Sequence, residues 1–101
     1  MFKVQLIKIE EKFIKDDKTG KKSDFKVANF IEWAKNENGI EMPTGAQQKR
    51  WFRYDDDDNK KVFNDLNLKE GNFYQVKISF EYKIIEISDW TEAKNKNIAQ
   101  L

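Results

Sequence analysis

The chain contains neither cysteine nor histidine, and these two absences narrow the chemistry it can perform. Without cysteine there is no disulfide framework and no thiolate metal site, which fits a reducing compartment. Without histidine the commonest general base is missing. The chain also lacks a Gly-rich phosphate loop and a serine in a nucleophile-elbow setting. We therefore expect a protein that is not an enzyme and that uses no cofactor or metal.

Long apolar runs are also missing. No segment is long enough and apolar enough to span a membrane, and the N-terminus lacks a signal-peptide pattern. We expect a soluble, cytoplasmic protein with no membrane partner. Charge of one sign is not in excess either, since 19 basic residues face 18 acidic ones and the formal net charge is +1. Only the placement of the charges can therefore indicate a polyanionic partner.

What the chain does have is aromatic side chains in a small domain. Its 101 residues predict one domain, and 39% hydrophobic against 37% charged residues predict a thin core. Eight Phe, three Trp and three Tyr can thicken such a core, but some of these rings can instead be displayed for binding.

The most regular stretch begins at Tyr74, where apolar residues occupy every second position as far as Ile84. This period of two indicates a strand with one dry face. At Ile84 and Ile85 the phase flips, which predicts either two strands joined at a corner or one sharply bent strand. Gly71 is expected to close a short preceding helix at its left-handed position.

The N-terminal half shows the same alternation. Apolar residues change faces near Leu6 and Ile7, as expected of a first strand shared between two sides of a small barrel. Residues 15–22 predict a hairpin loop, and residues 25–33 a second strand. In that strand Phe25, Val27, Ile31 and Trp33 share one face, which places Phe30 on the opposite, outward face beside Lys26.

The middle of the chain is less regular. Residues 36–46 contain the only proline and predict a long loop, followed by a third strand at 47–54. Four aspartates at 55–58 precede Val62, Phe63 and Leu66, whose spacing predicts a helix of about two turns capped by one of the aspartates. Residues 93–101 are expected to form a polar, frayed tail.

Five strands with one short helix between the third and the fourth are the layout of the OB-fold, a partly open Greek-key barrel. We therefore predict an all-β OB-fold domain over residues 1–92. An SH3-like barrel and a small open α+β sheet with one helix are the alternatives.

The sharpest candidate site is the stretch Lys49-Arg50-Trp51-Phe52-Arg53-Tyr54. Strand alternation puts Lys49, Trp51 and Arg53 on one face of the strand. Arg50, Phe52 and Tyr54 lie on the other face, so either face offers a cation and a ring. Unpaired bases stack on rings while cations neutralise phosphate, and the second and third strands form the usual ligand face of this barrel. The alternative is a half-buried strand in which lysine and arginine stems cover one ring.

Further residues extend this candidate nucleic-acid site. Phe30 and Lys26 are expected to continue the platform, although Phe30 can also be a dimer contact or part of a second small core. Arg50 is expected to neutralise phosphate, and Lys21 and Lys22 to make outer contacts from the hairpin, for which a solvated hairpin tip is the alternative. The four aspartates favour a helix cap over a cation site, because consecutive residues rarely converge on one ion.

The segments MFKVQLIKIEEKF and LKEGNFYQVKI resemble small phage-type single-stranded-DNA-binding proteins of the OB-fold. Similar proteins are the filamentous-phage gene V protein and the single-strand-binding proteins of phages of low-GC Gram-positive bacteria. In that family a glycine precedes the fourth strand, as Gly71 does here, and a final strand returns, here Ile84 to Ile87. The chain departs from the family in lacking an acidic, Phe-ended C-terminal tip.

The resemblance implies a protein that coats single strands during phage or plasmid replication or recombination, in the bacterial host cytoplasm, as a homodimer or higher oligomer. Single-stranded DNA is the expected partner, with RNA left open. The competing hypothesis is a protein-binding module, for example a phage-encoded inhibitor or assembly factor, that uses the same aromatic face.

Overall fold

The computed structural model describes residues 2–81 and 83–90, and the tail predicted for residues 93–101 lies outside them. The described residues form five strands and one helix: β1 (Phe2–Lys15), β2 (Lys22–Lys35), β3 (Glu41–Arg53), α1 (Asp57–Leu66), β4 (Phe73–Ile78) and β5 (Ile84–Asp89). The strands form one antiparallel sheet in the order β3-β2-β1-β4-β5. The predicted all-β class, with one helix between the third and fourth strands, is confirmed.

The sheet is not closed into a barrel by hydrogen bonds among the described residues. β3 and β5 are its two edge strands, although their Cα atoms approach within 8 Å of each other. β1 is the central strand and pairs with both β2 and β4. The two long hairpins extend the described part of the chain to 56 Å along its longest axis, against 26 and 25 Å along the others.

A bulge at Ile7 changes the faces of β1, as the sequence predicted. The register of β1 on β2 shifts between Leu6 and Lys8. Residues from the segment before β4 satisfy the backbone at this point: Leu6 N donates to Asn72 O at 3.0 Å, and Gly71 N donates to Leu6 O at 2.7 Å. Because of the bulge, one end of β1 pairs with β4 while the other end belongs to the β1–β2 hairpin.

The long loop predicted for residues 36–46 is wrong, because a tight turn at 36–40 leads directly into β3. Asn36 builds the turn: its Oδ1 accepts hydrogen bonds from Asn38 N and Ile40 N, and Gly39 takes a positive φ of 76°. Pro43 lies within β3 opposite Trp33. β3 is an edge strand, and an edge strand tolerates a residue without an N–H group.

The helix begins where the sequence predicted and ends earlier. Asp56 is the N-cap residue, with its side chain accepting from Asn59 N, and Asp57 and Asp58 stand in the first turn. Their charges meet the positive end of the helix dipole. The C-cap residue is Asn67, which has a left-handed conformation at φ 48°. The prediction that Gly71 closes the helix is therefore wrong. The capping interpretation of the acidic run is confirmed.

β4 and β5 form a hairpin, and its turn comes before the corner that the sequence predicted at Ile84 and Ile85. β4 ends at Ile78 and β5 begins at Ile84, with Ser79 N donating to Lys83 O at 2.8 Å across the turn. Phe80 stands at the tip with 92% of its surface exposed. The two-strand alternative is therefore correct, and the phase flip at Ile84 and Ile85 belongs to β5 itself.

The core lies on one face of the sheet, here called the inner face. Its buried cluster consists of Val4, Leu6, Ala28, Phe30, Phe52, Tyr74, Val76, Ile84 and Ile87. Helix α1 packs against the cluster through Phe63, whose ring centroid lies 5.1 Å from that of Phe52. The expected placement of Phe30 is wrong. It pairs with Leu6, contacts the ring of Tyr74 edge-on at 6.2 Å and is 1% exposed.

Candidate functional site

The face of the sheet opposite the core, here called the outer face, is mapped by the strand registers. Residues directly opposite one another on neighbouring strands share a face, and this places Val27, Asn29 and Trp33 of β2 outward. Five rows cross β1, β2 and β3 in this way: Lys12–Phe25–Arg53, Glu10–Val27–Trp51, Lys8–Asn29–Lys49, Gln5–Ile31–Gln47 and Lys3–Trp33–Pro43. The outer face thus has two rows with aromatic residues, then two rows without, and then the row of Trp33.

Trp51 lies at the centre of one aromatic cluster on this face, here called the Trp51 platform. The Phe25 ring meets it edge-on at 5.5 Å, and Lys12 Nζ lies 5.4 Å from the Trp51 ring centroid. Val27, directly opposite Trp51, is fully buried. Trp51 keeps 45% of its surface exposed, so part of the indole remains open to a flat ligand. The outward face of β3, left open by the sequence, is the one with Lys49, Trp51 and Arg53.

The cations beside Trp51 differ in how far their charge is compensated. Arg53 Nε lies 3.0 Å from Asp55 Oδ1, and Lys12 Nζ lies 4.0 Å from Glu10 Oε2. Lys8 and Lys49 are exposed and form no ion pair with any other described residue. These two lysines flank Asn29 in one row, so they supply positive charge next to the row of Trp51 that no described carboxylate pairs with.

The structure separates the other predicted contacts from Trp51. Arg50 points to the inner face, where its guanidinium lies 4.7 Å from the Phe52 ring, and burial lowers its pKa from the ordinary value. Because an arginine pKa starts so far above neutrality, Arg50 stays charged. Lys26, also on the inner face, pairs with Glu11 and lies 4.9 Å from the Tyr54 ring. Phe30, Arg50 and Lys26 therefore do not join the Trp51 platform.

Of the two hairpin lysines, Lys22 lies at the far end of the same inner face and Lys21 lies in the turn before it. Lys22 Nζ is 3.7 Å from Asp24 Oδ1 and 4.5 Å from the Phe13 ring, and Lys21 follows the Asp16 turn. Lys22 and Lys26 both line a cleft of about 420 Å³ between the hairpin strands and Tyr54. Hydrogen bonding and charge from Lys26 lower the pKa of Glu11 below its usual range. This cleft therefore pairs its positive charges internally.

A second aromatic cluster on the outer face was missed from the sequence. The rings of Trp33 and Phe73 meet edge-on at 5.2 Å, and Lys3 Nζ lies 4.8 Å from the Phe73 ring and 5.0 Å from the Trp90 ring. Lys3 also pairs with Glu41 at 2.6 Å and is only 8% exposed. We call Trp33, Phe73 and Trp90 the Trp33 platform. Asn29, polar and in the phase of Trp33, is the signal that could have marked this face as outward.

Two other kinds of site are not found. Among residues 2–81 and 83–90, no group of three or more acidic side chains is placed to hold a metal ion. In the same part of the chain, α1 is too short and too polar to cross a membrane, and no other helix qualifies.

Comparison of the chain with protein-family models finds no matching family, and comparisons with curated proteins and with solved structures find no match.

Proposed function

We propose that this chain binds single-stranded nucleic acid, DNA in the first place, through its outer face and without strong sequence preference. The observation that carries the proposal is the Trp51 platform: an indole with 45% of its surface exposed, between Lys12 on one side and the row of Lys49 on the other. Unpaired bases of any kind can stack on such a ring, and the lysines neutralise the phosphates between them.

The residues proposed to act are those that share this face. Trp51 and Phe25 stack a base, while Lys49, Arg53, Lys12 and Lys8 contact the phosphates. Of the residues expected from the sequence, Lys49, Trp51 and Arg53 remain in the proposal. Lys22 lies on the inner face beside Asp24, so it is not part of the proposed site, and Lys21 in the hairpin turn stays a prediction.

The strand order supports an OB-type barrel as the scaffold. β1 pairs with both β2 and β4, α1 lies between β3 and β4, and the edge strands β3 and β5 approach each other. In an OB-fold the outward surface of the second and third strands is the ligand face. With the family resemblance, this supports a cytoplasmic role in coating single strands during phage or plasmid replication or recombination, as a homodimer or larger oligomer.

The test is a titration of fluorescently labelled oligo(dT), followed by anisotropy, with the wild type and Trp51→Ala. A stacked base contributes roughly 1–3 kcal/mol, so the dissociation constant should rise about 5- to 100-fold in the variant. Phe80→Ala removes another exposed ring, on the β4–β5 turn, and should leave binding unchanged. Unfolding curves of Trp51→Ala, which uncovers Val27, should show that the variant remains folded.

Salt dependence and strand type complete the test. With three or four phosphates neutralised, log affinity should fall against log salt with a slope of about −2 to −3. Duplex DNA should bind more weakly than the single strand. If oligo(dT) does not bind at low salt and Trp51→Ala instead changes the oligomeric state, the protein-binding module takes the place of this proposal.

A further inference from the structure

We propose that the Trp33 platform is a second stacking site, so that one nucleic-acid strand runs along β2 from Trp51 to Trp33. This inference rests on the proposed function and adds the path and the length of the bound strand. Both platforms lie on the outer face, and β2 carries the residues that join them.

The composition of the Trp33 platform fits a base better than it fits a finished core. Trp33, Phe73 and Trp90 are each partly exposed on the side of the sheet that no helix covers within residues 2–81 and 83–90. The rings of Trp33 and Phe73 meet at 79°, and Lys3 is held against the rings of Phe73 and Trp90. These rings supply a stacking surface for a base, and because Lys3 is already paired with Glu41, the exposed Lys8 and Lys49 are the phosphate partners of the bound strand.

Two indole N–H groups at this platform have unmet hydrogen-bonding capacity. Trp33 Nε1 and Trp90 Nε1 are both buried, and neither has a hydrogen-bond acceptor among the described residues. A buried donor without an acceptor costs stability, so native structures seldom contain one. A base or a phosphate oxygen that enters as the rings adjust would satisfy them. The Trp51 platform contains no buried donor without an acceptor among the described residues.

The surface between the platforms suits a phosphate backbone. The row Lys8–Asn29–Lys49 crosses it, and the next row is Gln5–Ile31–Gln47. Both lysines are exposed and form no ion pair within the described residues. Trp33 lies six residue steps along β2 from Val27, which is opposite Trp51. At a strand rise near 3.4 Å this is about 20 Å, or about six nucleotides of a stacked strand at roughly 3.4 Å each.

A length series of labelled oligo(dT) tests the inference, with three, six, nine and twelve nucleotides against the wild type, Trp33→Leu, Phe73→Leu and Trp51→Ala. The oligonucleotide of three nucleotides reaches one platform at a time, so Trp33→Leu and Phe73→Leu should weaken its binding less than twofold. At nine and twelve nucleotides each should weaken binding about 5- to 100-fold, the effect of one lost stacking contact. Phe80→Ala is the matched control at every length.

The wild type supplies a second measurement that does not depend on the variants folding. Oligonucleotides of twelve residues containing 5-bromodeoxyuridine, irradiated in complex with the protein, should cross-link to peptides from both platforms. Cross-links restricted to Phe25 and Trp51, with length-independent effects of the Trp33 and Phe73 variants, would overturn the second site and leave the proposed function standing. Absence of binding at every length would instead overturn the proposed function.

Discussion

Residues that are neighbours in sequence lie on opposite faces of this sheet and therefore have different surroundings. Trp51 is half exposed on the outer face, whereas Phe52, the next residue, is buried against Phe63 of α1. Arg50 and Arg53 are separated in the same way, one over the Phe52 ring and the other beside Asp55. The chemistry available to a ligand therefore depends on the phase of a residue within its strand, and residue type alone does not decide it.

The contact between Arg53 and Asp55 predicts that the chain restrains its own binding face. Asp55→Asn should free Arg53 for phosphate, and because an exposed ion pair contributes up to about 1 kcal/mol, the dissociation constant for oligo(dT) should fall by up to about fivefold. Asp65→Asn is the matched control, since it removes the same charge from exposed helix surface without contacting Arg53. Equal gains from both variants, measured by anisotropy at low salt, would contradict a specific role for the ion pair.

At the scale of elements, local sequence signals set most boundaries. Asp56 starts α1, Asn36 and Gly39 make the β2–β3 turn, and the change of phase at Ile7 becomes a bulge. The long loop predicted around the proline is the exception. Pro43 indicates a loop when read locally, but it lies in an edge strand, and only the position of β3 in the sheet makes that possible.

The helix cap supplies an element-scale prediction. Asp56→Ala should lower the free energy of unfolding by about 1 kcal/mol, because the Asn59 N–H group loses its acceptor at the start of α1. Asp56→Asn keeps a side-chain oxygen at that position and should cost much less. Urea unfolding followed by circular dichroism measures both. Equal losses in the two variants would mean that the charge, and not the cap, supports the helix.

At the scale of the whole molecule, the two faces of one sheet have separate roles. The inner face packs against α1 and holds the core, with Phe30 among its largest buried side chains. The outer face remains uncovered by any described helix and displays the two platforms. This division allows substitutions in the core to be distinguished from substitutions at the proposed ligand face.

Phe30→Leu tests that division. Loss of a fully buried ring should lower the free energy of unfolding by about 1–3 kcal/mol, while the dissociation constant for oligo(dT) should stay within twofold of the wild type. Thermal unfolding and anisotropy on the same sample give both values. A large loss of affinity in a variant that remains folded would return Phe30 to the binding site and put the assignment of the faces in doubt.

Much of this molecule follows from its sequence alone: the all-β class, the change of face in β1, the acidic cap and the alternation that groups Lys49, Trp51 and Arg53. These features depend on contacts between residues close in the chain. Which face of β2 is dry depended on tertiary structure, because this strand carries apolar residues in both phases, Val27 and Trp33 in one and Ala28 and Phe30 in the other. The face that α1, β4 and β5 cover becomes the core, so packing decided that Phe30 is buried and that Trp33 joins the outer face.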